Sequence, residues 1–299
     1  MSEHNYHLYK ITALTNLHVG SGEANFGVVD NLVQKDYITG YPAIFSSSLK
    51  GALREFYISN LNEDESDKDK KSKYIFGSND NNGAYRFFQA NLLSLPLRSN
   101  KIPYFLCLSE QIISNLENSL KNFILDKERC KDILTNLKSA LSIFMEKKEN
   151  DFDALFSIPD NLDISSDENV RIEDNKAIRV KNEKSVEGLR NLLVSGNDDG
   201  YTICYNKNIA FINHEIFKNY TKNLPVIARN HLDNGQSENL WYEEIVPRFS
   251  MFYFYIGVPI KDEKNGFFDE FNNLLENNIV QIGANATIGN GYCKINKLL

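Results

Sequence analysis

The sequence has few cysteines, and they are not arranged to bind a metal or to form a disulfide framework. The four are Cys107, Cys130, Cys204 and Cys293, with no CxxC pair and no neighbouring histidine at zinc-finger spacing. A structural zinc site needs such paired spacing, and a disulfide scaffold needs a denser set of cysteines. We therefore expect reduced thiols, most of them buried.

Long apolar runs are missing as well. No window approaches the roughly 18 uninterrupted apolar residues that a membrane span requires, and the start MSEHNYHLYK lacks the apolar stretch of a secretory signal. Hydrophobic residues nevertheless make up 42% of the 299 residues, which is ample for a core. The expectation is a globular cytoplasmic protein.

The chain also lacks an excess of positive charge. It has 33 lysines and arginines against 40 aspartates and glutamates, a net charge of −7, which argues against a surface that binds nucleic acid everywhere. The acidic residues are concentrated at 62–69 and 150–174, whereas residues 84–101 contain Arg86, Arg98 and Lys101 and no carboxylate. A local face that binds a polyanion is therefore compatible with the acidic composition.

Hydrophobic periodicity and turn signals predict a mixture of strands and helices. In chain order the predicted elements are a strand at 7–15, a helix from Ser48 with the hydroxyls of 46–48 as N-cap, a solvated loop at 62–73, a hairpin at 85–97 and 103–108, helices at 110–125 and 127–148, an irregular segment or an insertion partly ordered by a partner at 150–182, a helix near 214–222, a strand at 249–259, a helix at 267–277 and a strand pair at 280–298. Without the middle of the chain, the order is strand, helix, strand, strand, helix, strand. This order predicts an α+β, ferredoxin-like fold, whose sheet RNA-recognition modules also use.

The stretch GSGEANFG after the first predicted strand is not a nucleotide phosphate loop. Gly27 is followed by Val28 and Val29, where such a loop has a lysine and a hydroxyl. Asp30, next in the chain, either holds a divalent cation or accepts a proton from an attacking hydroxyl, or it only bonds to its own loop backbone. His18 is likewise either an acid or base, or a structural loop histidine. Spacing alone leaves both alternatives open.

A cluster of hydroxyls and cations follows at a predicted helix start. It consists of Ser46, Ser47, Ser48, Lys50 and Arg54. Hydroxyls, free backbone amides and cations at a helix N-terminus suit a phosphate group, and an ordinary capped surface helix is the alternative.

Trp241 is the only tryptophan and lies in the segment LWYEEIVPRF. If exposed, its ring would stack on nucleic-acid bases. The alternative is an anchor in a core or in a subunit interface, and the sequence favours neither.

Five segments together resemble one known family. They are HVGSGEANFGVVDNLVQKDYITGYPAIFSSSLKGALREF, YIFGS, LPLRS, LWYEEIVPRF and QIGANATIGNGYCKI. Their combination and order resemble the RAMP superfamily, specifically the repeated backbone subunit of the type III-B, or Cmr-type, CRISPR RNA-guided effector complex. The resemblance covers both ends of the chain and leaves residues 150–219 largely unaccounted for.

The resemblance implies a division of the chain and a function. Residues 1–108 and 248–299 would form an RRM-like palm, 109–223 a helical and irregular insertion, and 224–247 a thumb-like hairpin region. Copies of such a subunit would stack as a filament along a guide CRISPR RNA, with other subunits of the complex, and cleave complementary single-stranded target RNA at regular intervals. A non-catalytic RNA-coating subunit and a guide-processing endoribonuclease of the same superfamily are the alternatives.

The resemblance also implies roles for particular residues. Asp30 inherits the catalytic position, as a general base or as a ligand of Mg²⁺ or Mn²⁺. His18 is the candidate for the complementary acid or for orienting the phosphate. Where the resemblance leads us to expect an aspartate before LLxxPxRS, this chain has Gln89. The residues expected to bind RNA are Ser46, Ser47, Ser48, Lys50, Arg54, Arg98, Trp241, Gly283, Asn285, Gly289 and Gly291, with Trp241 also a candidate brace for the hairpin.

Overall fold

A computed structural model describes residues 4–22, 27–124, 126–147, 153–158, 169–180, 183–194, 208–234 and 236–299. The strands are β1 (His4–Ala13), β2 (Ala43–Ile44), β3 (Arg86–Phe87), β4 (Ala90–Arg98), β5 (Tyr104–Leu108), β6 (Ala154–Ser157), β7 (Arg171–Ile172), β8 (Asn175–Arg179), β9 (Ile209–Ile212), β10 (Val226–Asp233), β11 (Gln236–Glu244), β12 (Met251–Pro259), β13 (Ile279–Gln281) and β14 (Tyr292–Lys297). The helices are α1 (Ser46–Asn60), α2 (Glu65–Phe76), α3 (Glu110–Phe123), α4 (Lys127–Lys147), α5 (Lys184–Val194), α6 (His214–Lys222), α7 (Ile260–Lys264) and α8 (Phe267–Glu276). The expected mixture of strands and helices is confirmed.

The chain forms two compact units. Unit 1 comprises Met1–Leu92 and Thr221–Lys297, and unit 2 comprises Leu93–Tyr220 and Leu298–Leu299. This division follows packing density, whereas the expected palm, insertion and hairpin regions are defined by their roles with RNA. The expected division therefore stays a prediction.

In unit 1, β1 lies between two antiparallel neighbours. It pairs with β12 from His4↔Pro259 to Thr12↔Met251, and with β14 from Tyr9↔Lys297 to Ala13↔Cys293. β13 pairs with β14 on the other side, also antiparallel. The strands predicted at 7–15 and 249–259 are thus confirmed, with ends shifted by at most three residues.

Aromatic side chains hold the helices of unit 1 together. Phe271 of α8 contacts Tyr57 of α1, Phe76 of α2 and Tyr85, with ring centroids 5.7, 6.2 and 5.5 Å away. All four side chains are buried. Full burial of one such aromatic side chain contributes about 1.5–3 kcal/mol, so this cluster fixes the three helices relative to one another.

Helix α2 contradicts the solvated loop predicted at 62–73. Its surface carries the alternating charges that suggested a loop, but these charges form pairs one turn apart, Lys68 with Glu65, Lys70 with Asp67 and Lys73 with Asp69. Such pairs stabilise an exposed helix by a few tenths of a kcal/mol each, about 0.2–0.5. The last turn supplies Ile75 and Phe76 to the core, which the polar run before them concealed.

A two-stranded hairpin, β10 and β11, lies in unit 1 within the residues 224–247 where the resemblance placed one. The strands are antiparallel from Val226↔Glu244 to Asp233↔Gln236, with a register shift between His231 and Leu232. Most side chains of β11 from Gln236 to Leu240 are exposed, whereas Glu243 and Glu244 at its end are buried. The hairpin therefore projects from a buried base.

Unit 2 contains most of β4, the strands β5 to β9, and the helices α3, α4 and α5. β4 pairs antiparallel with β5, β5 parallel with β9, β9 antiparallel with β6, and β6 parallel with β8. The helices predicted at 110–125 and 127–148 are confirmed as α3 and α4. The prediction of irregular structure at 150–182 is wrong for β6, β7 and β8, because short buried runs such as ALFS are hidden among polar residues. Residues 150–152, 159–168 and 181–182 lie outside the described part of the chain.

The cysteines agree with the expectation of free thiols where they are described. Cys107, Cys130 and Cys293 are buried and unpaired, and Cys204 lies outside the described residues. Burial raises the pKa of the Cys293 thiol to about 12, so this thiol stays protonated at neutral pH. Over the described ranges, no helix combines the length and apolarity needed to cross a membrane.

Candidate functional site

Asp30 lies on the surface, at the point where the loop after β1 meets the hairpin. The main-chain N–H of Tyr242 donates to its carboxylate, with 2.7 Å between N and Oδ2, and the N–H of Asp30 donates to the carbonyl of Tyr242 at 3.1 Å. The next residue, Asn31, forms a parallel bridge with Glu243. Residues 23–26 of the glycine-rich stretch lie outside the described part. Asp30 is therefore an exposed carboxylate held by β11.

His18 is buried behind this loop. Its Nδ1 lies 2.6 Å from the carbonyl oxygen of Glu244, and because a carbonyl only accepts, Nδ1 carries the hydrogen. Nε2 faces Gly20, where an added Cβ would lie 3.3 Å from it. The ring is thus oriented by the end of β11. The role of His18 as the complementary acid stays a prediction.

Glu243 is the residue at the centre of this region that the sequence did not single out. The indole of Trp241 donates to its Oε1 at 2.8 Å, while Nε of Arg229 and Nδ2 of Asn285 donate to Oε2 at 3.1 and 2.8 Å. Burial acts to raise the pKa of Glu243, but the hydrogen bonds from Trp241 and Arg229 and the interactions with His18 and Arg229 outweigh it and lower the pKa. Glu243 is therefore a buried carboxylate that stays ionised.

The adjacent Glu244 ties the same strand to the segment after Asp30. The N–H of Val33 donates to its Oε2 at 3.1 Å, and Nζ of Lys35 donates to its Oε1 at 2.8 Å. Lys35 also donates to the carbonyl of Lys222 at 3.1 Å. Only the dipeptide EE in LWYEEIVPRF hinted at these two carboxylates, and nothing in the sequence indicated that both are buried.

The glycine-rich C-terminal loop packs against the same region. Gly283 has φ +88° and lies so close to His18 that an added Cβ would be 2.4 Å from its carbonyl oxygen. The N–H of Ala284 donates to that oxygen at 2.8 Å. Asn285, with φ +66°, then reaches Glu243. Gly283 and Asn285 are thus brought to the residues around Asp30.

The outer part of that loop faces open space at Gly289. Gly289 has φ +83° and nothing within 4 Å of an added Cβ, whereas Gly291 is buried, with the carbonyl of Ile282 2.2 Å from where its Cβ would be. Between them, the Nδ2 of Asn290 is buried without a hydrogen-bond partner. Gly289 is therefore displayed on the surface, and Gly291 allows the backbone to pass close to Ile282.

The start of α1 differs from the prediction in how it is capped. The N-cap is Phe45, without a side-chain hydrogen bond, and the three serines form the first turn. Gln34 ties this helix start to the preceding segment: its Oε1 accepts from the N–H of Phe45 at 2.7 Å, and its Nε2 donates to Oγ of Ser48 at 2.9 Å. The prediction of these hydroxyls as N-caps is wrong, because the helix begins at Ser46 and the serines lie inside its first turn. Ser46 and Ser47 remain exposed.

A cavity of about 620 Å³ opens beside this helix start. Its lining combines hydroxyls, two cations and aromatic rings: Ser46, Ser47, Lys50, Asn82, Gly83, Tyr85, Arg86, Phe87 and Phe88. Arg54, one turn beyond Lys50, is half-buried. This lining has the chemistry of a phosphate-binding surface.

The remaining candidates have partners within the protein. Arg98 belongs to unit 2, and its guanidinium pairs with Glu173, with 2.8 Å between Nη2 and Oε2. Trp241 is half-buried, and its indole N–H is bonded to Glu243. The Arg98 side chain is exposed but paired with a carboxylate, and its role in RNA binding stays a prediction.

Asp30 is also the predicted metal ligand. In the described ranges no three histidine, cysteine, aspartate or glutamate side chains converge as a ligand set. Mg²⁺, however, often binds through one or two carboxylates and completes its shell with water and phosphate oxygens. An exposed carboxylate with one oxygen bonded by Tyr242 fits that mode, and it does not fit a site made of protein ligands alone.

Comparison with known proteins extends over almost the whole chain. A sequence profile of the RAMP superfamily matches residues 10–294. The "CRISPR system Cmr endoribonuclease Cmr4" of Pyrococcus furiosus is 27% identical over 307 residues, which cover 97% of this chain and 94% of that protein.

Solved structures show the same fold. The cryo-EM structure of type III-B Cmr-beta bound to cognate target RNA superposes with a TM-score of 0.72 at 20% identity, covering 98% of this chain and 96% of that chain. The crystal structure of oligomeric Cmr4 from Pyrococcus furiosus has a TM-score of 0.69 at 22% identity, with all of both chains covered. At these identities the structures establish the fold alone.

Proposed function

Because the chain belongs to the RAMP superfamily, we propose that it is a guide-RNA-binding backbone subunit of a type III-B CRISPR effector complex, and that it cleaves target RNA paired with the guide. The likeness to a Cmr endoribonuclease supports the complex and the class of reaction. The position of Asp30, exposed and hydrogen-bonded to the base of the hairpin, is the observation that carries the catalytic part.

The RRM-like palm is part of this proposal. In unit 1, β1 is flanked by β12 and β14, both antiparallel to it, and α1 and α8 follow β1 and β12 in the chain. This is the strand and helix order of a ferredoxin-like domain. The hairpin β10–β11 then corresponds to the thumb, which would cross the guide–target duplex and displace a nucleotide at each repeat.

The chemistry needs few protein groups, because RNA carries its own nucleophile. When the 2′-hydroxyl attacks the adjacent phosphorus, a new O–P bond forms, the bond to the 5′-oxygen of the next nucleotide breaks, and a cyclic phosphate and a 5′-hydroxyl result. Asp30 would accept the proton of the 2′-hydroxyl, or would hold Mg²⁺ or Mn²⁺, which neutralises charge on the phosphate. His18 would orient the phosphate or supply the leaving oxygen's proton.

The hairpin contact gives this chemistry its positioning. The backbone of Tyr242 holds one oxygen of Asp30, and Glu243 beside it is fixed by Trp241, Arg229 and Asn285. A thumb that displaces a nucleotide would thereby set the position of the Asp30 carboxylate relative to the exposed phosphate. Other copies of the chain and other subunits would complete the filament, in the cytoplasm.

Substitution of Asp30→Ala in the assembled complex tests the catalytic role. We expect target binding to be retained and cutting to be lost. Asp132→Ala, an exposed aspartate on α4, is the matched control and should leave both unchanged. Unchanged cutting by the Asp30 variant would favour the alternative of a non-catalytic RNA-coating subunit.

A guide-processing endoribonuclease is separated by a different substrate. The isolated protein is offered precursor repeat RNA and, separately, target RNA with a guide in the assembled complex. Cutting of the precursor by the isolated protein would favour the processing alternative. Cutting only of the guide-paired target supports the backbone subunit.

A further inference from the structure

A hydrogen-bonded surface turn lies between the Asp30 loop and α1. Lys35 and Pro42 form an antiparallel β-bridge at its ends. The N–H of Asp36 donates to the carbonyl of Tyr41 at 2.8 Å, and the N–H of Gly40 donates to the carbonyl of Asp36 at 2.8 Å. Gly40 has φ +70°, which favours glycine. These bonds close the turn at its base.

The Asp36 carboxylate fixes the tip of this turn. Its Oδ1 accepts from the N–H of Ile38 at 3.2 Å and from the N–H and hydroxyl of Thr39 at 2.8 and 2.9 Å. Its Oδ2 accepts from Nε2 of Gln89 at 3.0 Å, and Gln89 also donates to Oδ1 of Asn91 at 2.9 Å. With an aspartate or glutamate at position 89, two carboxylates would face each other, so the amide is the group that fits.

The tip holds two large side chains in solvent. Tyr37 is 84% exposed and Ile38 is 93% exposed. The ring of Tyr37 stacks on that of Phe45, with centroids 5.8 Å apart and an interplanar angle of 28°. Phe45 is the N-cap of α1, so the Tyr37 ring packs on the residue that immediately precedes the exposed Ser46 and Ser47 of the first helical turn.

We propose that Tyr37 is a stacking platform for a base of the single-stranded RNA whose phosphates contact the start of α1, and that Gln89 is its positioning residue. This rests on the proposed function. A ring fixed on one side by Phe45 loses little conformational freedom when a base stacks on it, and every base offers a π-face. The hydroxyls of Ser46 and Ser47 and the side chain of Lys50, on the part of α1 that follows Phe45, match a ribose-phosphate chain. The turn from Asp36 to Tyr41 offers an apolar protein surface one exposed aliphatic side chain, Ile38.

The test compares RNA with and without bases. The purified full-length protein is titrated with a fluorescein-labelled single-stranded RNA and with an RNA of the same length in which the central nucleotides are abasic. Because one stacked base contributes about 1–3 kcal/mol, Tyr37→Ser should raise the Kd for the complete RNA at least about fivefold. The Kd for the abasic RNA should stay close to that of wild type. Tyr37→Phe, which keeps the ring, should bind both like wild type.

Ile38→Ser is the matched control, because it changes an equally exposed neighbour that lacks a ring. We expect it to leave the affinity for both RNAs unchanged. An equal loss on both RNAs, or no loss, for Tyr37→Ser would overturn the stacking role. So would a loss of self-association by both variants in the absence of RNA with unchanged RNA affinity, which would make the turn a protein contact.

The role of Gln89 is tested by exchange of charge with Asp36. Gln89→Glu should loosen the turn, because two carboxylates would then face each other. It should weaken binding of the complete RNA and not of the abasic RNA, as Tyr37→Ser does. Combining it with Asp36→Asn restores one amide and one carboxylate and should recover that affinity. A merely structural loss at position 89 would not be rescued in this way.

The salt dependence of RNA binding separates the stacking role of Tyr37 from RNA binding by the protein as a whole. Tyr37→Ser should leave the dependence of log K on log salt unchanged, whereas Lys50→Ala should reduce its slope by about one. If only Tyr37→Ser is without effect, stacking is wrong and RNA binding stands. If the wild-type protein and its guide complex bind no RNA, the proposed function itself is wrong.

Discussion

The main-chain N–H of Tyr242 donates a 2.7 Å hydrogen bond to the carboxylate of Asp30, two residues that are 212 positions apart in the chain. The bond joins the end of the glycine-rich loop to the base of the β10–β11 hairpin. Any rearrangement of the hairpin base therefore moves the carboxylate with it. This coupling suggests experiments that separate the charge of Asp30 from its role in holding the loop.

Asp30→Asn is expected to remove the negative charge and to keep the loop in its conformation, because an amide oxygen still accepts from the N–H of Tyr242. Cleavage by the assembled complex should fall by about 10²–10⁴-fold, the range that a positioned acid or base contributes. Thermal unfolding should stay close to wild type. Single-turnover cleavage and calorimetry measure the two effects, and an Asp30→Asn complex that cuts normally would show that no charge is needed there.

Glu243→Gln should destabilise the protein at neutral pH by about 1–3 kcal/mol, since hydrogen bonds to a buried ionised group are lost or weakened. The pKa of Glu243 is lowered in the folded protein, so its stabilising contribution is complete above the unfolded-state pKa and is lost as the pH falls through the folded value. Wild type should therefore lose more stability than the variant below about pH 5. Urea unfolding at a series of pH values measures this.

Glu238→Gln is the control for that experiment, because Glu238 lies on the same strand and its side chain is 57% exposed. It should change neither the stability nor its dependence on acid pH. Parallel curves for wild type and the Glu243 variant would contradict the assignment of a lowered pKa to that carboxylate.

The free energy of unfolding of the wild type should rise between neutral and alkaline pH, and Lys10→Met should abolish this rise. Lys10 is 2% exposed on β1, and burial lowers its pKa to about 7. Between that value and the ordinary pKa of lysine, the unfolded chain binds a proton that the folded chain does not, so stability rises with pH by up to about 1.4 kcal/mol per unit. Denaturant unfolding between neutral and alkaline pH should show this rise in wild type and not in the variant.

Lys70→Met, at a lysine on α2 whose side chain is 73% exposed, is the matched control. It should leave the rise in place. If the Lys10 variant gains stability with pH as steeply as wild type, the rise belongs to another group.

Gly283→Ala should destabilise the protein more than Gly289→Ala. Both glycines have positive φ, +88° and +83°, so each substitution carries a backbone cost of about 1–2 kcal/mol. At Gly283 the new Cβ would also meet the carbonyl oxygen of His18 at 2.4 Å, whereas at Gly289 it would meet nothing within 4 Å. Urea unfolding of the two variants tests the difference, and equal losses would show that the loop moves away from His18 at little cost.

Local patterns were enough for several elements. Leu49, Leu53, Phe56 and Tyr57 recur at helical spacing, and all four are buried on α1 as that spacing indicated. The aromatic run of β12 likewise predicted a buried strand. These predictions succeed because the spacing at which apolar side chains recur along a helix or strand depends only on residues close together in the sequence.

Helix α2 shows where local reasoning fails. Its paired charges look solvated in the sequence, and only the packing of Phe76 against Phe271, 195 residues further along the chain, makes it part of a core. Tertiary contacts override local propensity when they bury side chains that the local pattern leaves ambiguous.

The sequence by itself determined the helical and strand periodicities, the acidic balance and the family motifs, including the GVVD that ends in Asp30. The tertiary structure alone decided that Tyr242 holds Asp30, that Glu243 is a buried ionised carboxylate, and that Gln89 fixes the turn of Tyr37. The physical reason is that many hydrogen-bond partners come from other parts of the chain: two of the bonds to Glu243 come from Arg229 and Asn285, and one of the bonds to Asp36 comes from Gln89. Spacing places residues on an element, and only packing decides which groups face each other.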